Sequence, residues 1–292
     1  MAQFSAPLEK SSKERIREWT AWARENGLLK REKLVPELPF DVADTMPDFM
    51  RRADANAVSE RVLAAEIKRE GPWTVPLYVG HDLYTFSKPD VIMAMNWRTN
   101  LFGVAIEHLC GDGLGDMTFL DMATRNGTFA FDVAHRGAKH VTAFDLRAEN
   151  IKQCRWLNTR YGLENIDFQV GNVLEWESEP YDVVLNYGVL YHVNEPHQLM
   201  KRTFDLCKKF AIVDSSVRKE PIEAFFLVTD LNISRTSVGE YHYEMHPTYR
   251  ALIALMKIAG FVNIQEIVST AAPKNPNYAA GRRRALVGFK PS

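Results

Sequence analysis

Two carboxylates and one glycine, spaced within a single short stretch, set the chemistry open to this chain. An apolar run reaches Asp121, a short polar turn closes on Gly127, a helical segment follows, and a second apolar run ends in Asp145. That is a strand, a turn, a helix and a strand, with an acid at the carboxyl end of each strand. Such a unit builds a parallel sheet whose ligand sits beyond the strand ends. Asp145 lies 18 residues after Gly127, close to the roughly 20-residue spacing of a ribose-binding carboxylate. The turn contains no Gly-x-Gly-x-x-Gly, so it is not a dinucleotide fingerprint.

Proton-handling residues cluster further on. Tyr191 and His192 follow an apolar run, and Glu240 to Pro247 is rich in aromatics and histidines. A histidine near its reference pKa of about 6.5 can accept a proton from a hydroxyl or amine. His192, His246 and His242 are the candidate bases, in that order, with Tyr191 beside them. His242 and His246 are four apart, a metal-binding spacing on a helix. Pro247 disfavours a helix there, no His-Glu-x-x-His motif is present, and no metal is expected.

The elements that must position these residues form a regular series. Strands are expected at 118–122, 140–145, 166–170, 181–186 and 210–214, with helices between them, notably 149–161 and 196–208. A long segment, 215–246, precedes a helix at 248–259. Apolar runs at 262–268 and 284–289 can pair as a hairpin. The first 94 residues differ. Ser11 to Leu29 reads as an amphipathic helix, 34–47 with three prolines as mostly linker, 48–70 as a second helix, and 73–79 with 82–86 as two short strands around Gly80-His81. This extension could be a lid, a cap or a dimer arm. A helix at 95–109 introduces the second region, 95–292.

The chain has 292 residues, 46% hydrophobic and 25% charged, with a net charge of −1. That suits an α/β domain with an extension and gives no general pull toward nucleic acid or anionic membrane. Arg282, Arg283 and Arg284 read as a solvated basic turn. Cys110, Cys154 and Cys207 are an odd, scattered set, two of them in helical patterns, as expected of small core residues in a reducing compartment. There is no CxxC pair, apolar leader or bilayer-length run. A cytoplasmic protein without membrane contact is expected.

Asp121, Gly127 and Asp145 resemble the first motif of class I S-adenosylmethionine (SAM) methyltransferases, an acid followed by alternating glycines. Ala123 and Arg125 depart from it, because the family usually has glycine at both positions. The resemblance spans roughly residues 115 to 290. It implies SAM as cofactor and a Rossmann-like α/β sheet ending in an antiparallel hairpin, here with a helical N-terminal extension. It puts Asp121 near the amino-acid end and the sulfonium, the Gly127 turn under the backbone approach, Asp145 on the ribose, and Leu146 against ribose or adenine. Asn172, followed by Val173, takes the adenine position. The backbone near Asn186 and Tyr187 approaches the methionine part. A side chain at a positive-φ turn position costs on the order of 1 kcal/mol or more. Arg125 could compensate by pairing with the SAM carboxylate, or could point to solvent, or intrude.

Gly188 to Val193, together with Asn96-Trp97-Arg98-Thr99, resembles the tRNA wobble-uridine modifying methyltransferases. There the Trp-Arg pair helps enclose cofactor and substrate, which implies that role for Trp97 and Arg98 and puts Tyr191 and His192 at the mouth of the site. Members using carboxylated SAM carry a Trp-Lys-Trp-like cluster after that pair, whereas Thr99 to Gly103 follows here. The expectation is therefore ordinary SAM and methyl transfer to oxygen or nitrogen of a small molecule. A tRNA-modifying enzyme and a non-catalytic binding module that has lost the cofactor are the alternatives. Self-association of the chain stays open.

Overall fold

The computed structural model describes residues 34–56, 58–229 and 243–291. The expected amphipathic helix at 11–29 lies outside them.

The extension contributes β1 (Glu37–Phe40), α1 (Asp48–Arg51), a 3-10 turn at Arg52–Asp54, α2 (Glu60–Glu70), and the hairpin β2 (Tyr78–Gly80) and β3 (Leu83–Tyr84). Next come α3 (Pro89–Cys110), β4 (Thr118–Met122), α4 (Thr128–His135), β5 (His140–Asp145), α5 (Ala148–Tyr161), β6 (Ile166–Val170) and β7 (Tyr181–Tyr187). The chain then forms α6 (Pro196–Asp205), β8 (Cys207–Ser216), β9 (Phe225–Thr229), β10 (Tyr243–Pro247), α7 (Tyr249–Ala259), β11 (Val262–Ser269), the short α8 (Pro276–Ala279) and β12 (Arg283–Phe289).

Eight strands make one sheet in the order β1-β11-β12-β8-β7-β4-β5-β6. β6, β5, β4, β7 and β8 run parallel, and β12 is antiparallel to both β8 and β11. The expected C-terminal hairpin is therefore present. Successive strand residues point to opposite faces, so each strand feeds two cores. Phe119, Val141, Ala143, Val183 and Leu185 pack with Leu101, Phe102, Phe131 and Leu157 of α3, α4 and α5. Leu120, Met122, Val184, Ala211 and Val213 pack with Leu199, Met200, Leu252 and Met256 of α6 and α7. Burial on both faces explains why these strands read as unbroken apolar runs. The strand order reverses between β4 and β7, and there the ligand crevice of such sheets opens.

The extension departs from expectation in two places. Residues 37–40 are not linker but the edge strand β1, parallel to β11. Proline is tolerated because an edge strand needs donors on one side only, and the carbonyl of Pro36 accepts from Glu266 N at 2.8 Å. The expected helix at 48–70 is broken after the 3-10 turn. There Arg52 Nε donates to Tyr161 O (2.5 Å) and Asn56 Nδ2 to Arg160 O (2.7 Å), which ties the break to the C-terminal end of α5. The segment after β8 holds a second small sheet, β9 antiparallel to β10.

Candidate functional site

The turn between β4 and α4 carries the conformations its motif demands. Ala123, Arg125 and Gly127 have φ of 58°, 55° and 79°, so all three alternate positions lie in the left-handed region. Gly127 is also crowded, since a Cβ there would sit 2.8 Å from Phe131 Cε2. The turn is held by Thr124 N donating to Phe144 O (2.8 Å) and Gly127 N to Thr124 O (2.9 Å). Asn126 Nδ2 donates to Gln153 Oε1 (2.6 Å), and Gln153 Nε2 donates to Glu70 O (2.7 Å), tying the turn to α5 and α2.

Asp121 is 1% exposed and accepts from Thr124 Oγ1 at 2.5 Å. Burial pushes its pKa up to about 7, with the Asp145 charge adding and the Thr124 bond and Arg98 opposing. Asp145 Oδ1 accepts from Arg147 N (3.0 Å) and Asn150 Nδ2 (2.9 Å), and its Oδ2 from Arg125 N (2.9 Å). A carboxylate has about four acceptor sites, so three donors fix it and leave one free. Asn172 Oδ1 accepts from Leu174 N (3.0 Å), shaping the turn after β6.

These residues surround one cleft of about 400 Å³ at the carboxyl ends of β4 to β7. Asp121, Ala123, Arg125, Asp145, Leu146, Asn172, Val173, Tyr187 and Arg98 line it, as do Tyr191 and His192. Tyr187 stacks on Phe102 with centroids 4.2 Å apart, and its buried hydroxyl lacks a hydrogen-bond partner. The Arg125 guanidinium is in the cleft wall rather than in solvent. Burial lowers its pKa, its Nε has no partner, and its side chain makes no ion pair among the described residues.

Three expected site residues sit elsewhere. Trp97 is 1% exposed and packs edge-on against Tyr278, because a large apolar ring on α3 gains more from the core than from a half-wet wall. The Asn186 side chain points under the sheet and donates to Thr203 Oγ1 at 3.0 Å. His246 is behind the wall, with its ring 5.1 Å from Tyr191. It lies on strand β10, so the one-turn helical spacing considered for a metal does not arise there. His242 lies outside the described residues.

Sequence reasoning missed the ion-pair layer beneath the cleft. Asp214, fully buried at the end of β8, is held by Arg98 and by Arg283, whose Nε is 2.9 Å from Oδ1. Burial alone would raise the Asp214 pKa, but the two guanidiniums hold it below the usual carboxylate range. Arg283 also donates to Tyr191 Oη at 3.3 Å. It passes over Gly188, where a Cβ would lie 2.6 Å from its Nη2. Arg283 and Arg284 are thus strand residues in ion pairs, Arg284 with Glu266 at 2.6 Å, and not a solvated turn. Glu244 is the second omission. Its Oε1 lies 3.1 Å from His192 Nδ1 and its Oε2 2.6 Å from His246 Nε2. Burial opposes its charge, yet the two imidazoles bring its pKa down to about 2. The only available signal was an acid between histidines in a segment of no clear period.

A methyltransferase domain family matches residues 114–271, more than half of the chain. The chain belongs to that family, and its sheet is that of the class I SAM-dependent methyltransferases. Among curated proteins it is 32% identical over 114 residues to a ubiquinone biosynthesis O-methyltransferase of Maricaulis maris (strain MCS10), covering 38% of this chain and 44% of that one. It is 24% identical over 119 residues to a tRNA U34 carboxymethyltransferase of Campylobacter curvus (strain 525.92), covering 40% and 39%. The chain thus spans less than half the length of these relatives. Among solved structures it resembles the N-terminal domain of EvdMO1 in the presence of SAH and D-fucose, with TM-score 0.58, 18% identity, and 81% and 99% of the two chains covered. The magnesium protoporphyrin IX methyltransferase of Synechocystis PCC 6803 with bound SAH gives 0.51, 13%, 80% and 95%. Among the described residues no helix is long and apolar enough to cross a membrane.

Proposed function

We propose that this protein transfers a methyl group from SAM to an oxygen or nitrogen of a small-molecule acceptor. The observation that carries the reading is the convergence of Asp121, residues Ala123 to Asn126 of the turn, Asp145 and Asn172 on one cleft. Each meets a different part of SAM, whose sulfonium makes the methyl group electrophilic. Asp145 has one acceptor site left for a ribose hydroxyl, and Leu146 beside it is 54% exposed, an apolar ledge for the base. Asn172 keeps its amide nitrogen for the adenine edge. Asp121 sets a carboxylate against the cationic methionine end, and the unpaired Arg125 guanidinium suits the carboxylate there.

Methyl transfer is an in-line displacement, so alignment and exclusion of water carry most of the rate. Tyr187 and Phe129 form the apolar floor for that alignment. His192, on the cleft wall, accepts the acceptor's proton. His246 is set back from the cleft and His242 is not described, which leaves His192 first.

The test is calorimetric titration with SAM and with S-adenosylhomocysteine. Micromolar binding is expected, weakened about tenfold to a hundredfold by Asp145→Ala, the range for a hydrogen bond to a charged group. No heat with either ligand would sink the reading.

A second reading, tRNA modification, is favoured by the similarity to tRNA U34 carboxymethyltransferases. It predicts RNA affinity that falls steeply with salt. Salt-independent or absent RNA binding leaves the small-molecule reading.

A further inference from the structure

The segment between β8 and α7 places a carboxylate against the base. Glu244 and His246 are two apart on β10, so both point to the same face of that strand. That face lies on the 3-10 turn Leu190–His192, where the His246 ring approaches Tyr191 and the two Glu244 oxygens reach separate imidazoles. His192 points Nδ1 at Glu244 Oε1 across 3.1 Å, within ion-pair distance but not aligned as a hydrogen bond, whereas His246 Nε2 is hydrogen-bonded to Oε2 at 2.6 Å. Glu244 and His192 both line the cleft, whose other ionisable lining groups are Arg98, Asp121, Arg125, Asp145, Arg147, Tyr187, Tyr191, Glu195 and Arg283.

We propose that Glu244 is a positioning residue that fixes His192 as the Nδ1–H tautomer and leaves Nε2 as the proton acceptor, making strand β10 part of the acceptor-side wall of the site. The inference rests on the methyltransferase reading above. A neutral imidazole donates from one nitrogen and accepts at the other, so a carboxylate at Nδ1 decides which is which. In the reaction the acceptor's lone pair forms the new bond to the methyl carbon. The carbon–sulfur bond breaks with its electron pair going to sulfur, and the acceptor's proton goes to His192 Nε2. The Glu244 charge then stabilises the imidazolium. His246 acts through Glu244, holding its second oxygen so that the carboxylate cannot rotate away.

The arrangement makes an unusual demand, that the two imidazoles take opposite tautomers. Long-range nitrogen–proton correlation spectra of the full chain at pH 8.5, with histidines labelled, read this directly. His192 is expected as Nδ1–H and His246 as Nε2–H. A His192 Nε2–H tautomer in the wild-type protein overturns the proposal, whether or not any variant folds. Glu244→Gln is expected to abolish the His192 preference and to lower kcat tenfold or more with the SAM Kd unchanged within twofold. An unchanged His192 tautomer in that variant also overturns the proposal. SAM titration of the same samples separates the two claims. Loss of SAM binding in the wild type defeats the cofactor reading alone, and a wrong tautomer defeats the role of Glu244 alone.

Discussion

The two walls of the cleft are built in opposite ways. The wall proposed for the cofactor comes from one stretch, Asp121 to Asn172, in which each side chain is fixed by a neighbouring turn or helix: Asp145 by Arg125, Arg147 and Asn150, Asn172 by Leu174. The other wall is assembled from Arg98, Tyr191, Glu244 and Arg283 over the buried Asp214, residues that meet only after the sheet has formed. A local wall depends on turn geometry. An assembled wall depends on buried charges that must all find their partners.

The largest effect should therefore fall on the assembled wall. Asp214→Asn keeps the shape but leaves Arg98 and Arg283 facing each other without a counter-charge. Breaking a buried pair in this way costs about 3–5 kcal/mol. A shift of the urea midpoint at constant slope checks it. A loss under about 1 kcal/mol would mean that these charges are better solvated than the geometry implies, and would break the comparison.

On the local wall the next effect is on pH. With its pKa near 7, Asp121 is largely protonated at pH 6 and ionised at pH 8. A cationic ligand end favours the ionised form, so SAM affinity should fall about tenfold per unit as pH drops below about 7, and binding there should release a proton. Asp121→Asn should flatten the curve. Stability has the opposite sign. The folded pKa exceeds the unfolded one, so this group's contribution is fully present below about pH 4 and lost as pH rises through about 7.

How legible each wall was follows from the same difference. Strand ends, the Gly127 turn and the acids at 121 and 145 are short-range patterns, and β4 to β8 lie close to where apolar runs and turn residues put them. β1 escaped because the three prolines of 34–47 read as linker, although edge strands tolerate proline. The resemblance of the Trp-Arg pair implies the cleft for both Trp97 and Arg98, yet adjacent residues on a helix face different ways. Arg283 and Glu244 were out of reach, since nothing near residue 283 announces Asp214 and nothing near 244 announces His192.

The smallest effects concern the two side chains that replace glycine in the turn, and they sharpen the contrast most. Both stand at positive φ, where a side chain costs on the order of 1 kcal/mol. If the strain at Arg125 is offset by a contact to SAM, Arg125→Gly should stabilise the free protein slightly and weaken SAM about tenfold. Improved binding would instead mark the side chain as an intruder. Ala123 also faces the cleft but has no polar group to contribute, so Ala123→Gly should leave SAM affinity within twofold. Its effect on stability is a difference of two terms. Glycine removes the left-handed strain but adds freedom to the unfolded chain, worth about 0.4–1 kcal/mol in the other direction. The expected gain is therefore under about 1 kcal/mol, measurable as a small rise in the urea midpoint. A clear loss of stability would mean that the Ala123 methyl is packed against a neighbour closely enough to outweigh its backbone cost, so that the turn has adapted to side chains rather than merely tolerating them.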